Sequence, residues 1–309
     1  MNKPSLETLS HIPYGIKSLL KWFIPLLTIP LFVYGFLSLF PVEQRIEALL
    51  KSTLSKDKKC PVHFNSFKTK FFFPGAVLRD IVIPSYCFDA PKDLKIPEAE
   101  ITWRGFSFKP FGLSFRANMN VFNSSFEARL IAGLKGQQIN ISDQELDLSK
   151  LLVYLPIKLK MQGRITLNSL AYIEKKELSR IVIQATSNNL DFPPQDVRFP
   201  NINIPLNMPR IFAQNLNFHA QLVSNVLDIR EFTLGNNQSP LRAKVNKGSI
   251  KINKNNSNLS RLNIQSEVYL DPKDKTLSDI ASFALSQFDK KDNFYQISVR
   301  GTVGSPKLK

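Results

Sequence analysis

A period of two, repeated in run after run, limits this chain more than any other feature. Leu113, Phe115, Ala117, Met119 and Val121 alternate with Ser114, Arg116, Asn118 and Asn120. Phe126, Ala128, Leu130 and Ala132 follow on one face, and Ile165, Leu167 and Ala171 do the same around Thr166 and Asn168. Leu216, Phe218, Ala220 and Leu222 alternate with Asn217, His219 and Gln221. Leu262, Ile264, Val268 and Leu270, and later Tyr295, Ile297 and Val299, complete the series. Successive side chains of a strand point to opposite faces, so each run has one apolar and one polar face. The pattern predicts a mainly β chain with a long, largely antiparallel sheet covered on one side only.

A different pattern precedes the strands. Trp22–Phe40 is 19 residues without a charge, spanning roughly 28 Å as a helix, close to the thickness of a bilayer's hydrocarbon. Pro25 and Pro30 are tolerated in membrane helices. The competing reading is a cleaved signal peptide, but its apolar core is normally shorter and ends in a small-residue site, whereas Phe40-Pro41-Val42-Glu43 follows here. The expected organisation is a cytoplasmic tail over 1–21, a transmembrane helix over 22–40, a linker helix over 41–60 and a β-rich domain over 61–309. Val42, Ile46, Leu49, Leu50 and Leu54 carry the linker's helical spacing. Lys17 and Lys21 on one side nearly balance Arg45 and Lys51 on the other, so flanking charge leaves orientation open. The short tail suits a cytoplasmic N-terminus.

Helices are otherwise few. Asp147 is placed to cap a short one through Leu155, and Thr276–Phe288 carries an apolar stripe of Leu277, Ile280, Ala281, Ala284, Leu285 and Phe288. Five prolines in Phe192–Arg210 predict an extended connection there and a soft boundary near 192–210.

Chemistry-bearing patterns are sparse. The chain has three histidines, His11, His63 and His219, and no G-x-S-x-G, P-loop or H-E-x-x-H. The expectation is no enzyme, no metal site and no cofactor. The net charge is +16, and beyond residue 40 there are still 38 basic against 24 acidic residues. That balance fits an anionic lipid surface. A basic helix, zinc spacing or stacking motif for nucleic acid is lacking. Cys60 and Cys87 lack C-x-x-C partners. In an oxidising compartment they pair as a disulfide; otherwise they are two small hydrophobes. Phe64, Phe67, Phe71, Phe72 and Phe73 with Lys68 and Lys70 admit two readings. One is a strand entering the core, and the other is a contact with a membrane surface or an acyl chain.

Several segments, taken in order, point to a family. After the anchor and short helix come Phe72-Phe73-Pro74-Gly75-Ala76-Val77-Leu78-Arg79-Asp80 and Pro110-Phe111-Gly112-Leu113-Ser114-Phe115. Asp147-Leu148-Ser149-Lys150-Leu151 then leads to Met161-Gln162-Gly163-Arg164-Ile165, and Tyr295–Pro306 closes the chain. This order resembles the type II secretion system protein N family, in its Bdellovibrio- and Leptospira-like variant, and is similar to AsmA-like periplasmic proteins. Two segments depart from it: Ala132–Gly136 replaces a glycine-rich turn, and Phe192–Arg210 has no counterpart. The resemblance implies a curved AsmA-like sheet in a single-pass inner-membrane protein with its bulk in the periplasm. It also implies a non-enzymatic accessory role in type II secretion, with the inner-membrane platform and the secretin as partners. The alternative is a lipid-binding or lipid-transfer module with an apolar groove between inner and outer membranes.

Overall fold

The computed structural model describes residues 42–56, 60–70, 74–87, 90–121, 124–134, 136–154, 160–175, 177–197, 206–253 and 256–309, with Thr28, Phe32 and Gly35 in helical conformation. The expected transmembrane segment Trp22–Phe40 otherwise lies outside them. Among the described residues no helix is long and apolar enough to cross a membrane. The chain forms two units, Met1–Thr53 and Leu54–Lys309. Helix α1 (Val42–Ser55) begins in the first. Glu47 and Lys51 pair one turn apart on it at 2.6 Å, while Leu49 of its apolar stripe is exposed.

The second unit is built from strands β1 (Ser66–Lys70), β2 (Gly75–Ile83), β3 (Leu94–Phe108), β4 (Phe111–Val121), β5 (Ser124–Gly133), β6 (Gln137–Asp147), β7 (Gln162–Glu174) and β8 (Glu177–Ser187). Four short strands follow, β9 (Leu190–Phe192), β10 (Gln195–Val197), β11 (Leu206–Met208) and β12 (Ile211–Ala213). Then come β13 (Leu216–Val223), β14 (Val226–Leu234), β15 (Leu241–Lys251), β16 (Arg261–Leu270), β17 (Lys290–Lys291), β18 (Phe294–Thr302) and β19 (Ser305–Leu308). The fold is mainly β, and all its ladders are antiparallel. Each alternating run of the sequence lies in one of the long strands.

From β1 to β8 every strand pairs with the next in sequence. β8 then pairs with β13, stepping over the four short strands, and the meander resumes through β14, β15, β16, β18 and β19. The turns of such a meander fall alternately at its two ends. One end, the lower, carries the connections β2–β3, β6–β7 and β8–β13. The other, the upper, carries the β3–β4, β5–β6, β7–β8, β13–β14 and β18–β19 hairpins and the β15–β16 loop. Register slips at bulges between Trp103 and Phe106, Ile141 and Gln144, Tyr172 and Ile173, His219 and Ala220, and Val245 and Lys247. At the first of these Gly105 has φ +91°, a conformation glycine adopts without Cβ strain.

The lower end is closed by the Pro-rich stretch, which falls inside the second unit. β9 pairs with both β7 and β12, and β12 lies against β15. Strands β7, β8, β13, β14, β15, β12 and β9 thus ring that end. Gly163 makes the close approach possible. Its φ is +129°, and a Cβ there would meet the Asn189 carbonyl oxygen. Arg210 donates to both carboxylate oxygens of Asp191 across β9 and β12, at 3.1 and 2.8 Å. This holds the Asp191 carboxyl below its ordinary range, through the hydrogen bond first and the charge second.

Inside the ring sits the core. Leu146, Ile165, Leu190, Phe192, Ile211, Ala213 and Leu277 are buried together with Leu148 of the short helix α2 (Leu148–Leu151). Leu277 comes from α3 (Lys275–Ala284), whose N-terminus is capped where the Leu277 amide donates to Asp274 Oδ1 at 3.1 Å. The stripe expected over Thr276–Phe288 continues past the helix end, and Ala284, Leu285 and Phe288 pack with Val268, Tyr295 and Ile297.

Asp147 caps α2 as its spacing predicts, with the Ser149 amide donating to Oδ1 at 2.9 Å. Hydrogen bonds from Ser149 are the main cause of its lowered pKa, and Lys150 adds charge. A folded-state pKa below the unfolded one contributes stability above the unfolded value and loses it as pH falls through the folded value. Asp147→Ala is therefore expected to cost about 1 kcal/mol at pH 7 and progressively less as pH drops below about 4. Urea titrations of both proteins at pH 7 and pH 3 check this; a cost independent of pH would contradict it.

Candidate functional site

Directly opposed residues of an antiparallel ladder present their side chains on the same face. Following the register across the sheet from β3 to β19 gives one row: Ile101, Ala117, Ala128, Ile141, Ser169, Ile183, Ala220, Ile229, Gly248, Ile264, Val299 and Leu308. The next row towards the upper end contains Phe115, Leu130, Ile139, Ile181, Leu222 and Leu227. Neither row carries a charge across twelve strands, about 50 Å of sheet at about 4.8 Å per strand. The opposite face holds Arg116, Glu127, Arg129, His219, Glu231, Lys244, Glu267 and Arg300. Its cross-strand pairs Arg79–Glu98 at 3.0 Å and Arg116–Glu127 at 3.1 Å are exposed, so they set register more than they stabilise.

The apolar face changes character from end to end. At the lower end it is buried under β9, β12 and α3. In the two middle rows the large residues, including Ile141, Ile183, Ile229, Ile264, Leu130 and Leu227, are half-buried. Nearest the upper end Trp103, Phe106, Leu113 and Leu178 are exposed. The result is an apolar trough, floored by isoleucine and leucine and stopped at one end by the core.

The upper hairpins continue this exposure. Phe108 and Phe111 flank the β3–β4 turn and are 82% and 60% exposed, and Leu134 at the β5–β6 turn is 91% exposed. Val223 and Val226 flank Ser224 and Asn225, whose φ values of 48° and 66° make the tight turn. Ile252 and Leu259 lie in the β15–β16 loop and Val303 at the β18–β19 turn. A cavity of about 420 Å³ opens among the β3–β4, β5–β6 and β7–β8 tips, lined by residues such as Pro110, Phe111, Leu134, Tyr172 and Ile173. Phe111 and Leu134 lie in segments that bear on the family resemblance, but no sequence pattern marks any of these residues as a site. The available signal was an apolar residue beside a turn former (Pro110, Gly133, Gly304), where turn chemistry leads one to expect polar neighbours.

The residues singled out from sequence are placed as follows. Cys60 and Cys87 are joined as a disulfide with a Cα–Cα distance of 5.1 Å. Phe64 and Phe67 are 7% and 6% exposed, so the membrane-contact reading is corrected for these two. Phe67 stands opposite Leu78 on the apolar face and is covered by the sheet's own packing. Lys68 is exposed and Lys70 pairs with Glu100 at 2.6 Å. Phe71, Phe72, Phe73 and His11 lie outside the described residues. His63 bridges to Val82 through the backbone, and His219 stands on the polar face opposite Gln184 and Glu231. Among the described residues no group of three His, Cys, Asp or Glu is arranged to hold a metal ion.

A scan against protein-family models finds no match for this chain. Searches of the curated proteins and of the solved structures find none either.

Proposed function

We propose that residues 54–309 are a non-enzymatic binding module that takes acyl chains in the apolar trough, tethered to the inner membrane through Trp22–Phe40. One observation carries the reading: two adjoining uncharged rows cross twelve strands, and although the small Ala117, Ala128 and Ala220 are buried, the large isoleucines and leucines between them stay half-buried. An apolar face of this extent costs free energy in water, at roughly 25 cal/mol per Å² exposed, and a bound hydrocarbon chain relieves that cost. A single lipid chain, about half the 30 Å bilayer core in length, fits within the span several times over.

The test is native mass spectrometry of the full chain extracted in mild detergent, comparing wild type with Ile183→Lys/Ile229→Lys. Both substitutions place an ammonium in the middle row, facing the same space. We expect lipid bound to wild type and at least about a tenfold lower occupancy in the variant, since a desolvated charge outweighs the burial of one chain. The far-ultraviolet strand signal should be unchanged. Equal occupancy in the two proteins, or a wild type free of lipid, would sink the reading.

A role as an accessory of type II secretion is a second proposal. What supports it is that Asp147 caps a helix and Gly163 sits at a close strand crossing, since these two segments carry much of the resemblance. A pull-down recovering no platform or secretin subunit, together with normal secretion in a deletion strain, would count against it.

A further inference from the structure

The exposed hairpin tips lie together at the upper end, because alternate turns of a meander fall on one side. Phe108, Phe111, Leu134, Val226, Leu259 and Val303 come from five different hairpins or loops of that end. Each tip offers one or two exposed apolar side chains, and the β3–β4, β5–β6 and β7–β8 tips border one cavity. Side chains carried on separate turns at one end of a sheet suit a medium into which they can be inserted side by side.

Charge points the same way. Arg104, Lys109, Lys175, Lys251 and Arg261 are exposed among these tips, against Glu174 and Glu177. Apolar side chains projecting from a basic rim match the boundary of an anionic bilayer, where hydrocarbon lies just beneath phosphate. The trough's open rows run out to the same rim through Trp103, Phe106 and Leu113, so the apolar surface is continuous from tips to trough.

We propose that the rim of hairpin tips docks onto an anionic lipid bilayer, the apolar tips entering the headgroup boundary and the basic residues facing lipid phosphates. The inference stands on the rim alone and does not depend on what the trough holds.

Trp103 is a built-in probe, since Trp22 is the only other tryptophan. The full chain carrying Trp22→Phe would be reconstituted in vesicles of phosphatidylcholine with about one third phosphatidylglycerol, a fraction chosen to give an anionic surface. Brominated acyl chains would be present in the host membrane and in added vesicles. The expected result is quenching of Trp103 emission that requires phosphatidylglycerol and weakens with salt. Phe108→Asp/Phe111→Asp/Leu134→Asp should abolish it by lowering membrane partition at least about tenfold, as carboxylates meet an anionic surface. All three side chains are exposed, so the fold should tolerate the change, and co-purified lipid should stay at its wild-type level. Absence of quenching overturns the proposal and leaves the rim to a protein partner. Quenching that survives the triple substitution also overturns it, assigning the signal to lipid inside the trough.

Discussion

Leu277→Ala is expected to lower the unfolding free energy of the second unit by about 2–5 kcal/mol. Leu277 is 1% exposed and packs where β6, β7, β9 and β12 converge, so truncation removes apolar burial and leaves a cavity that ringed strands cannot collapse around. Phe283→Ala is the control. It lies on the same helix but is 54% exposed, and its removal should change stability by less than about 1 kcal/mol. Urea denaturation followed by near-ultraviolet circular dichroism gives both values. Equal effects would mean that α3 does not close the lower end of the sheet.

Opening the Cys60–Cys87 bond is expected to cost about 3–4 kcal/mol. The cysteines are 27 residues apart, and cross-linking a loop of that length removes a corresponding part of the unfolded chain's entropy. The Cα–Cα distance of 5.1 Å lies within the range that disulfides occupy without moving the backbone. Cys60→Ser/Cys87→Ser should lower the denaturation midpoint in both the presence and the absence of reductant, while the wild type should fall to the variant's value only when reduced. Two free thiols in protein isolated from an oxidising compartment, or a reductant-independent wild-type midpoint, would refute the bond's contribution.

What the sequence made legible, and what it hid, follows from the reach of a period. Long runs such as 113–121 and 262–270 became β4 and β16 because four or five apolar residues at alternate positions leave little room for a helix. The one-sidedness of the sheet came from the same runs. Exact pairing did not, since five bulges each shift register by a residue or more, and a bulge leaves only a weak mark such as Gly105. The Pro-rich stretch read as an extended connection. Strands β9 and β12 have three residues each, too short to show any period, yet their Ile211 and Leu190 are among the most deeply buried residues described. β9 is held by pairing with β7 and β12 by pairing with β9, and both pack with Leu277 of α3, which is distant in sequence. The Phe-rich segment shows the converse. Its composition admitted both a core strand and a surface contact; Phe64 and Phe67 belong to the core, and the exposed aromatics Phe106, Phe108 and Phe111 lie one hairpin further on. Composition registers how many apolar residues are near, while only the turn positions decide which of them face water.

The nearest-neighbour order of the long strands has a consequence for how such a chain can change. Apart from the steps from β8 to β13 and from β16 to β18, every strand of the meander is bonded to the one before it in sequence. A hairpin is thus a self-contained increment. Duplicating or deleting one between β3 and β6 leaves every other pairing intact and keeps the apolar face on the same side, because two strands restore the direction of the chain. The sheet's extent is then set in steps of about 10 Å, two strand spacings at a time. Its length would scale with the number of hairpins, while the closed end with its glycine crossing and buried helix lies outside β3–β6 and would be untouched by such a change.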